Sequence, residues 1–268
     1  YLRMSDLRIL SLGAGVQSTV LALMCSEQHQ ELPKVDCGIF SDTMSEPDEV
    51  YTHLDWLEKQ LSYPIYRVKK GNLKEDMYNK KPGSSIPAYT KNRETGSKGL
   101  LRRHCTQEYK INPLHKKIRE LLGVGYKKRV PKGTMVTQIF GISYDEIIRM
   151  RVSNKHYIKY EYPLIDKRMR RHNCLEWMEK NNYPRPPRSA CTFCPYHNNK
   201  EWMRIKEDPK AWAEAVEVDK KIREGIAGTK DELYLHRSCV PLDQVDFDPN
   251  KNQQNLFDDV CDEAMCGV

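Results

Sequence analysis

Apolar positions in the first third of the chain switch between two periods. Residues 8–12 form a short apolar run, residues 16–25 carry apolar side chains at helical spacing, and residues 35–40 form a second apolar run. Short apolar runs bounded by turn residues predict strands, and a 3.6-residue repeat predicts a helix. Val50, Leu54, Leu57 and Leu61 then fall on one stripe, which predicts an amphipathic helix over 48–61, and residues 65–68 predict a third short strand. Strands and helices in this alternation imply an α/β fold, a parallel sheet flanked by helices that binds ligands at the carboxyl ends of its strands.

From 81 to 103 the chain is rich in Pro, Gly, Ser and Lys without periodicity, which predicts a long functional loop, of the kind that can serve as a lid. Helices are predicted over 111–122, 169–181 and 200–226, and a strand over 134–142. The expected organisation is a nucleotide-binding α/β unit over 4–165, a helical cysteine-bearing extension over 166–242, and a flexible polar tail over 243–268. No internal repeat is present.

With 268 residues the chain can bury a sizeable core. No apolar run approaches the roughly 20 residues that span a bilayer, and no signal-like apolar core precedes the first strand. Nine cysteines then point to a reducing, cytoplasmic setting with metal-binding or catalytic thiols rather than a disulfide framework, and to no membrane partner. The formal charge is +7, with basic residues grouped at Lys69-Lys70, Lys80-Lys81, Arg102-Arg103, Lys127-Lys128-Arg129 and 168–171. Such groups suit a phosphate backbone, and equally a solvated surface.

Two segments carry chemistry. Gly13-Ala14-Gly15-Val16-Gln17-Ser18-Thr19 joins a strand to a helix, so glycines admit phosphate close to the backbone and first-turn N–H groups face the anion. Cys191-Thr192-Phe193-Cys194-Pro195, with Cys105 far upstream, has the spacing of thiolate metal ligands, and zinc suits it as well as iron. Cys25 and Cys37 sit in apolar contexts and are expected to fill the core. Cys174 lies on an apolar helix face and is either a buried thiol or a further ligand, and Cys239 is open in the same way. Cys261 and Cys266 lie in the polar tail, where Cys266 is either a reactive thiol with Cys261 as resolving partner or incidental.

Five segments in order resemble the PP-loop ATP pyrophosphatases, and within them the branch of phosphoadenylyl-sulfate (PAPS) reductase. Residues 13–18 resemble the Ser-Gly-Gly-x-Asp-Ser loop, with Gly13 for Ser and Gln17 for Asp. Asp42-Thr43, with Glu46, Glu49 and Tyr51, resembles the second-strand segment. Arg103-His104-Cys105 with Lys110 and Pro113-Leu114 resembles a Cys-Cys…Lys…Pro-Leu segment lacking one cysteine. Gly141-Ile142-Ser143 with Glu146 and Arg149 resembles Gly-Ile-Arg…Glu-Ser…Arg, with Ser143 for Arg. Cys191 and Cys194 complete the series.

The resemblance implies an adenine nucleotide alpha hydrolase-like sheet that binds ATP through Gly13, Ala14, Gly15, Gln17, Ser18, Thr19, Thr43 and Arg103. It implies Asp42 as a Mg2+ ligand, or else a turn carboxylate, and Lys110 and Arg149 as cations for the leaving pyrophosphate, Arg149 being otherwise a surface arginine. Cys105, Cys191 and Cys194, with Cys174 as the fourth candidate, would hold a [4Fe-4S] cluster, with zinc as the alternative. The implied activity is adenylation of an acceptor for sulfur insertion. The acceptor would be a nucleic acid, DNA in phosphorothioation or tRNA in thiolation, with a cysteine desulfurase as sulfur donor and other DNA-modification proteins as partners. The alternative is a PAPS or adenylyl-sulfate reductase with Cys266 as nucleophile. A non-catalytic zinc-bearing nucleic-acid binder would leave the glycine loop and Asp42 unexplained.

Overall fold

A computed structural model of the chain describes residues 6–27, 32–125, 127–226 and 229–248. Cys261 and Cys266 lie outside them. The chain runs β1 (Asp6–Leu12), α1 (Val16–Ser26), β2 (Cys37–Asp42), α2 (Asp48–Gln60), β3 (Ile65–Lys69) and α3 (Leu73–Tyr78), then β4 (Tyr89–Lys91) and β5 (Lys98–Leu100). A π-helical turn at Thr106–Ile111 leads into α4 (Asn112–Leu121), followed by β6 (Met135–Phe140), a 3-10 turn at Tyr144–Arg149 and β7 (Ile158–Glu161). Then come α5 (Pro163–Asp166), α6 (Arg171–Lys180), α7 (Asn199–Glu207), α8 (Pro209–Ile222) and β8 (Glu232–Tyr234).

Five strands form one parallel sheet in the order β3-β2-β1-β6-β7, which is the α/β arrangement expected. Alternate residues of β1 supply opposite faces. Leu10 and Leu12 pack with α1, α2 and α6 residues such as Val20, Leu54 and Met178, whereas Ile9 packs with Leu114 and Ile118 of α4. Val50, Leu54 and Leu57 of the α2 stripe are fully buried. A second core joins Leu73 and Met77 of α3 to Trp202, Ile205, Val218 and Ile222 of α7 and α8.

Several elements depart from the sequence expectation. The segment read as a loop over 81–103 contains β4 and β5, which pair with β8 as a small antiparallel sheet. Each of these strands has three residues, too short to establish a period. The helix expected over 200–226 is two helices. Asp208 caps the second, accepting from Lys210 N and Ala211 N, and Pro209 occupies its first position, where its missing N–H costs nothing.

The strand order turns outward in both directions from the β1–β6 pair, so a crevice opens at the carboxyl ends of these two strands. The walls are fixed by a close backbone approach. A Cβ at Gly141, just past β6, would lie 2.5 Å from Ser18 Cα and 2.7 Å from Ser18 N. Only glycine lets the β6 exit rest against the first turn of α1. Gly141→Val should therefore lose roughly 1–3 kcal/mol or more, as overpacking against backbone does. Urea denaturation monitored by circular dichroism checks this, and an unchanged midpoint would overturn it.

Candidate functional site

A cavity of about 450 Å³ occupies the crevice. One wall is the glycine loop, with Gly13, Gly15, Val16, Gln17 and Ser18, and another is Phe140-Gly141-Ile142. Ala14 takes the left-handed conformation that turns the strand into the helix, at φ 56°. The first intrahelical bond of α1 runs from Thr19 N to Gly15 O at 3.0 Å, so the amides of Val16, Gln17 and Ser18 precede it. No side chain caps this helix and no acidic residue lies in its first turn, which leaves the positive end of the helix for an anion.

Five arginines line the same cavity: Arg149, Arg171, Arg185, Arg188 and Arg204. Arg149 binds Glu146 at 2.7 Å, and Arg188 and Arg204 both meet Glu201, at 3.7 and 2.8 Å. Burial pushes the Glu146 carboxyl above its ordinary range, against the pull of Arg149. Its Oε1 is buried without a partner. Burial also acts upward on Glu201, but Arg204, His197 and Arg188 bring it below the usual carboxylate range.

Gln17 links three elements. Its Nε2 donates to Ser143 Oγ at 3.4 Å and its Oε1 accepts from Arg171 Nη1 at 3.3 Å. Gln17 and Ser143 are two of the positions where the chain departs from the PP-loop pattern, and here they bond to each other. Arg171 belongs to the basic group noted in the sequence, but Arg185, Arg188 and Arg204 gave no signal there.

Thr19 turns away from the cavity: it is fully buried and its hydroxyl bonds to His53 Nε2 at 3.0 Å. Asp42 and Thr43 do not line the cavity either. Asp42 Oδ1 accepts from Met44 N at 2.7 Å and from Tyr51 OH at 2.9 Å, so it closes a turn after β2. Thr43 Oγ1 lies 3.2 Å from Cys191 Sγ. Arg103 stacks over Tyr196, 5.6 Å from the ring centre.

Lys110 also sits on this thiol side. Its Nζ is 3.5 Å from Glu46 Oε1, Glu46 Oε2 accepts from Ser189 Oγ at 3.1 Å, and Ser41 Oγ donates to the Lys110 carbonyl at 2.8 Å. Cys105 and Cys191 pack in the same core and are near enough to act on each other electrostatically. Cys194 closes a turn onto Cys191, its N donating to Cys191 O at 2.9 Å. Burial raises the Cys191 thiol, with Glu46 adding to the shift. Cys174 stands apart: it is fully buried in the core under α1, and burial pushes its thiol up to about 12, as burial also does for Cys25 and Cys37. Of the four cysteines expected as one centre, Cys105, Cys191 and Cys194 thus lie in one neighbourhood and Cys174 does not. Among the described residues no three His, Cys, Asp or Glu side chains stand close enough to hold a metal ion.

No protein-family model matches the sequence, and no curated protein matches it. Among solved structures the chain is similar to a phosphoadenylyl-sulfate (PAPS) reductase from Candida auris in its phosphate complex. The identity is 16%, with 68% of this chain and 75% of that chain covered, at a TM-score of 0.42. It is also similar to the U34-tRNA thiolase NcsA from Methanococcus maripaludis with its [4Fe-4S] cluster. There the identity is 11%, with 93% of this chain and 82% of that chain covered, at a TM-score of 0.40. Among the described residues no helix is long and apolar enough to cross a membrane.

Burial holds the His53 imidazole, which anchors Thr19, down to about 4 from an ordinary 6.5. The unfolded chain therefore takes up the proton first as pH falls. His53 contributes its stability in full above 6.5 and loses it as pH drops towards 4. Guanidinium unfolding at about pH 7.5 and about pH 5 should show the loss, at most about 1.4 kcal/mol per pH unit from this group. In His53→Asn the decline should be shallower, and an identical decline would remove His53 as its source.

Proposed function

We propose that the protein is an ATP pyrophosphatase that adenylates a nucleic-acid acceptor so that sulfur can replace an oxygen. The observation that carries this reading is the uncapped start of α1, behind two glycines, opening on an arginine-lined cavity. The resemblance of the five sequence segments to the PP-loop enzymes supports it. The outer phosphates of ATP lie on the amides of Val16, Gln17 and Ser18, and Arg149, Arg171 and Arg188 take the charge that develops on the departing pyrophosphate. The acceptor oxygen attacks the α-phosphorus, and the bond to the β-phosphate breaks. The outer sulfur of a persulfide supplied by a cysteine desulfurase then attacks and displaces AMP, which carries the oxygen away, and a thiol reductant cleaves the remaining S–S bond to the carrier. DNA fits the basic surface as acceptor, with tRNA as the close variant and DNA-modification proteins as partners.

Such a cleavage uses a divalent ion. Glu146 fits it, since its unpartnered buried Oε1 is the feature a cation would satisfy, and the ion would offset phosphate charge. Asp42, expected for this role, is engaged in its own turn.

Purified protein should convert ATP to AMP and pyrophosphate, most readily with acceptor present. Release of sulfite from PAPS without that conversion would replace this reading with the reductase. Gly15 gives a clean variant, because a Cβ there meets nothing within 4 Å. Gly15→Val should keep its melting temperature while ATP affinity, measured by calorimetry, falls at least about tenfold. Equal affinity in both proteins would move ATP elsewhere. Glu146→Gln should raise the Mg2+ concentration needed for half-maximal turnover, and Asp42→Asn should not. The reverse result would return the ion to Asp42.

A further inference from the structure

The ends of β6 and β7 hold a second recess, of about 300 Å³, that the ATP reading leaves without an occupant. It shares Phe140, Ile142 and Arg149 with the phosphate cavity, so whatever fills it lies beside the phosphates. Its walls are aromatic. Phe140 stacks on Tyr162, with centroids 5.6 Å apart and planes at 19°, and meets Tyr160 edge-on at 4.9 Å. Gln138 and Tyr160 are cross-strand neighbours on β6 and β7.

Two polar atoms in this recess are buried without a partner, Gln138 Oε1 and His115 Nε2. Gln138 is 1% exposed. A sheet residue with an unpaired buried carbonyl is costly, and a leucine of similar volume would avoid the cost. Burial and the charge of Lys155 hold the His115 imidazole down to about 4, so it is neutral and carries one donor and one acceptor nitrogen. Arg149, Arg151 and Lys155 line the same recess. Flat aromatic walls, a short hydrogen-bonding edge and cations alongside suit a planar heterocycle attached to a phosphodiester.

We propose that this recess receives the base of the acceptor nucleotide and so holds that nucleotide next to the ATP bound in the phosphate cavity. The inference rests on the ATP reading. Gln138 Oε1 accepts from a ring N–H or exocyclic amine of the base, His115 completes the edge, and Arg151 and Lys155 hold the flanking phosphates. The base must leave its stack to enter, so single-stranded or flipped-out nucleotides are the substrate class.

The test is anisotropy of labelled single strands of about 12 nucleotides, as DNA, as RNA, and as the same DNA backbone carrying abasic residues throughout. Wild-type protein should bind a base-bearing strand roughly tenfold more tightly than the abasic one. The tighter of the DNA and RNA arms identifies the acceptor. In Gln138→Leu the preference for bases should shrink to about twofold or less, with ATP affinity unchanged and the melting temperature equal or higher, because an unpaired carbonyl has gone. Tyr160→Leu, at a half-buried position, should give the same loss of preference and serves if the first variant folds poorly. Lys155→Ala should weaken base-bearing and abasic strands alike. Absence of strand binding, or equal affinity of wild type for base-bearing and abasic strands, would overturn the proposal. So would weaker ATP binding by Gln138→Leu, since the recess would then hold the adenine of ATP. Loss of the ATP reading would appear separately, as wild-type protein that binds no ATP.

Discussion

Gly141 lying against the backbone of Gln17 and Ser18 is the contact on which the rest of this molecule depends. It brings the exit of β6 onto the first turn of α1, at the point where strand order diverges on either side of the β1–β6 pair. Everything the cavity uses follows from that approach. The first-turn amides face inward, Gln17 can reach Ser143, and the turn carrying Glu146 and Arg149 comes within range of the same space. A side chain of any size at position 141 would push the two strand exits apart. The bond between Gln17 and Ser143 also gives their unusual identities a joint reason: a neutral amide and a hydroxyl replace two positions that are Asp and Arg in the resembling pattern.

The arginine-lined cavity and the thiols are distinct places joined by one strap of chain. Arg185, Pro186, Pro187 and Arg188 line the cavity, Ser189 bonds to Glu46 beside Lys110, and Cys191 meets Thr43. Two prolines fix φ along the strap, so little freedom is lost when it spans both places. The start of α6 completes the cavity from the other side through Arg171, whose N donates to Asp145 at 3.2 Å. That bond holds Arg171 over Gln17, so the arginine reaches the site through a helix terminus and not through a loop free to move.

Much of the first sheet was legible in the chain itself. Residues 8–12 and 35–40 read as strands because their apolar positions go to both faces of a sheet covered by helices, and Val50, Leu54 and Leu57 gave the buried stripe of α2. The glycine loop read as an anion cradle because strand, glycine turn and helix follow one another without interruption, so the chemistry is local. The small sheet of β4, β5 and β8 was not legible, because three-residue strands carry no period and β8 lies far from its partners in sequence. The break before Pro209 could have been read from Asp208-Pro209, a cap followed by a first-turn proline.

By itself, then, the sequence determined the parallel sheet flanked by helices, the glycine turn that leads into α1 and the core character of Cys25 and Cys37. Each depends on residues adjacent in the chain or on their spacing. Only the tertiary structure decided which distant side chains share a space. It put Arg171, Arg185, Arg188 and Arg204 at the cavity and turned Thr19 inward to His53. It spent Asp42 on its own turn, set Lys110 beside Glu46 and the thiols, and buried Cys174 apart from Cys105 and Cys191. The physical reason is that side-chain convergence follows from how helices cover a sheet and where loops cross its edge, and neither leaves a period in the chain.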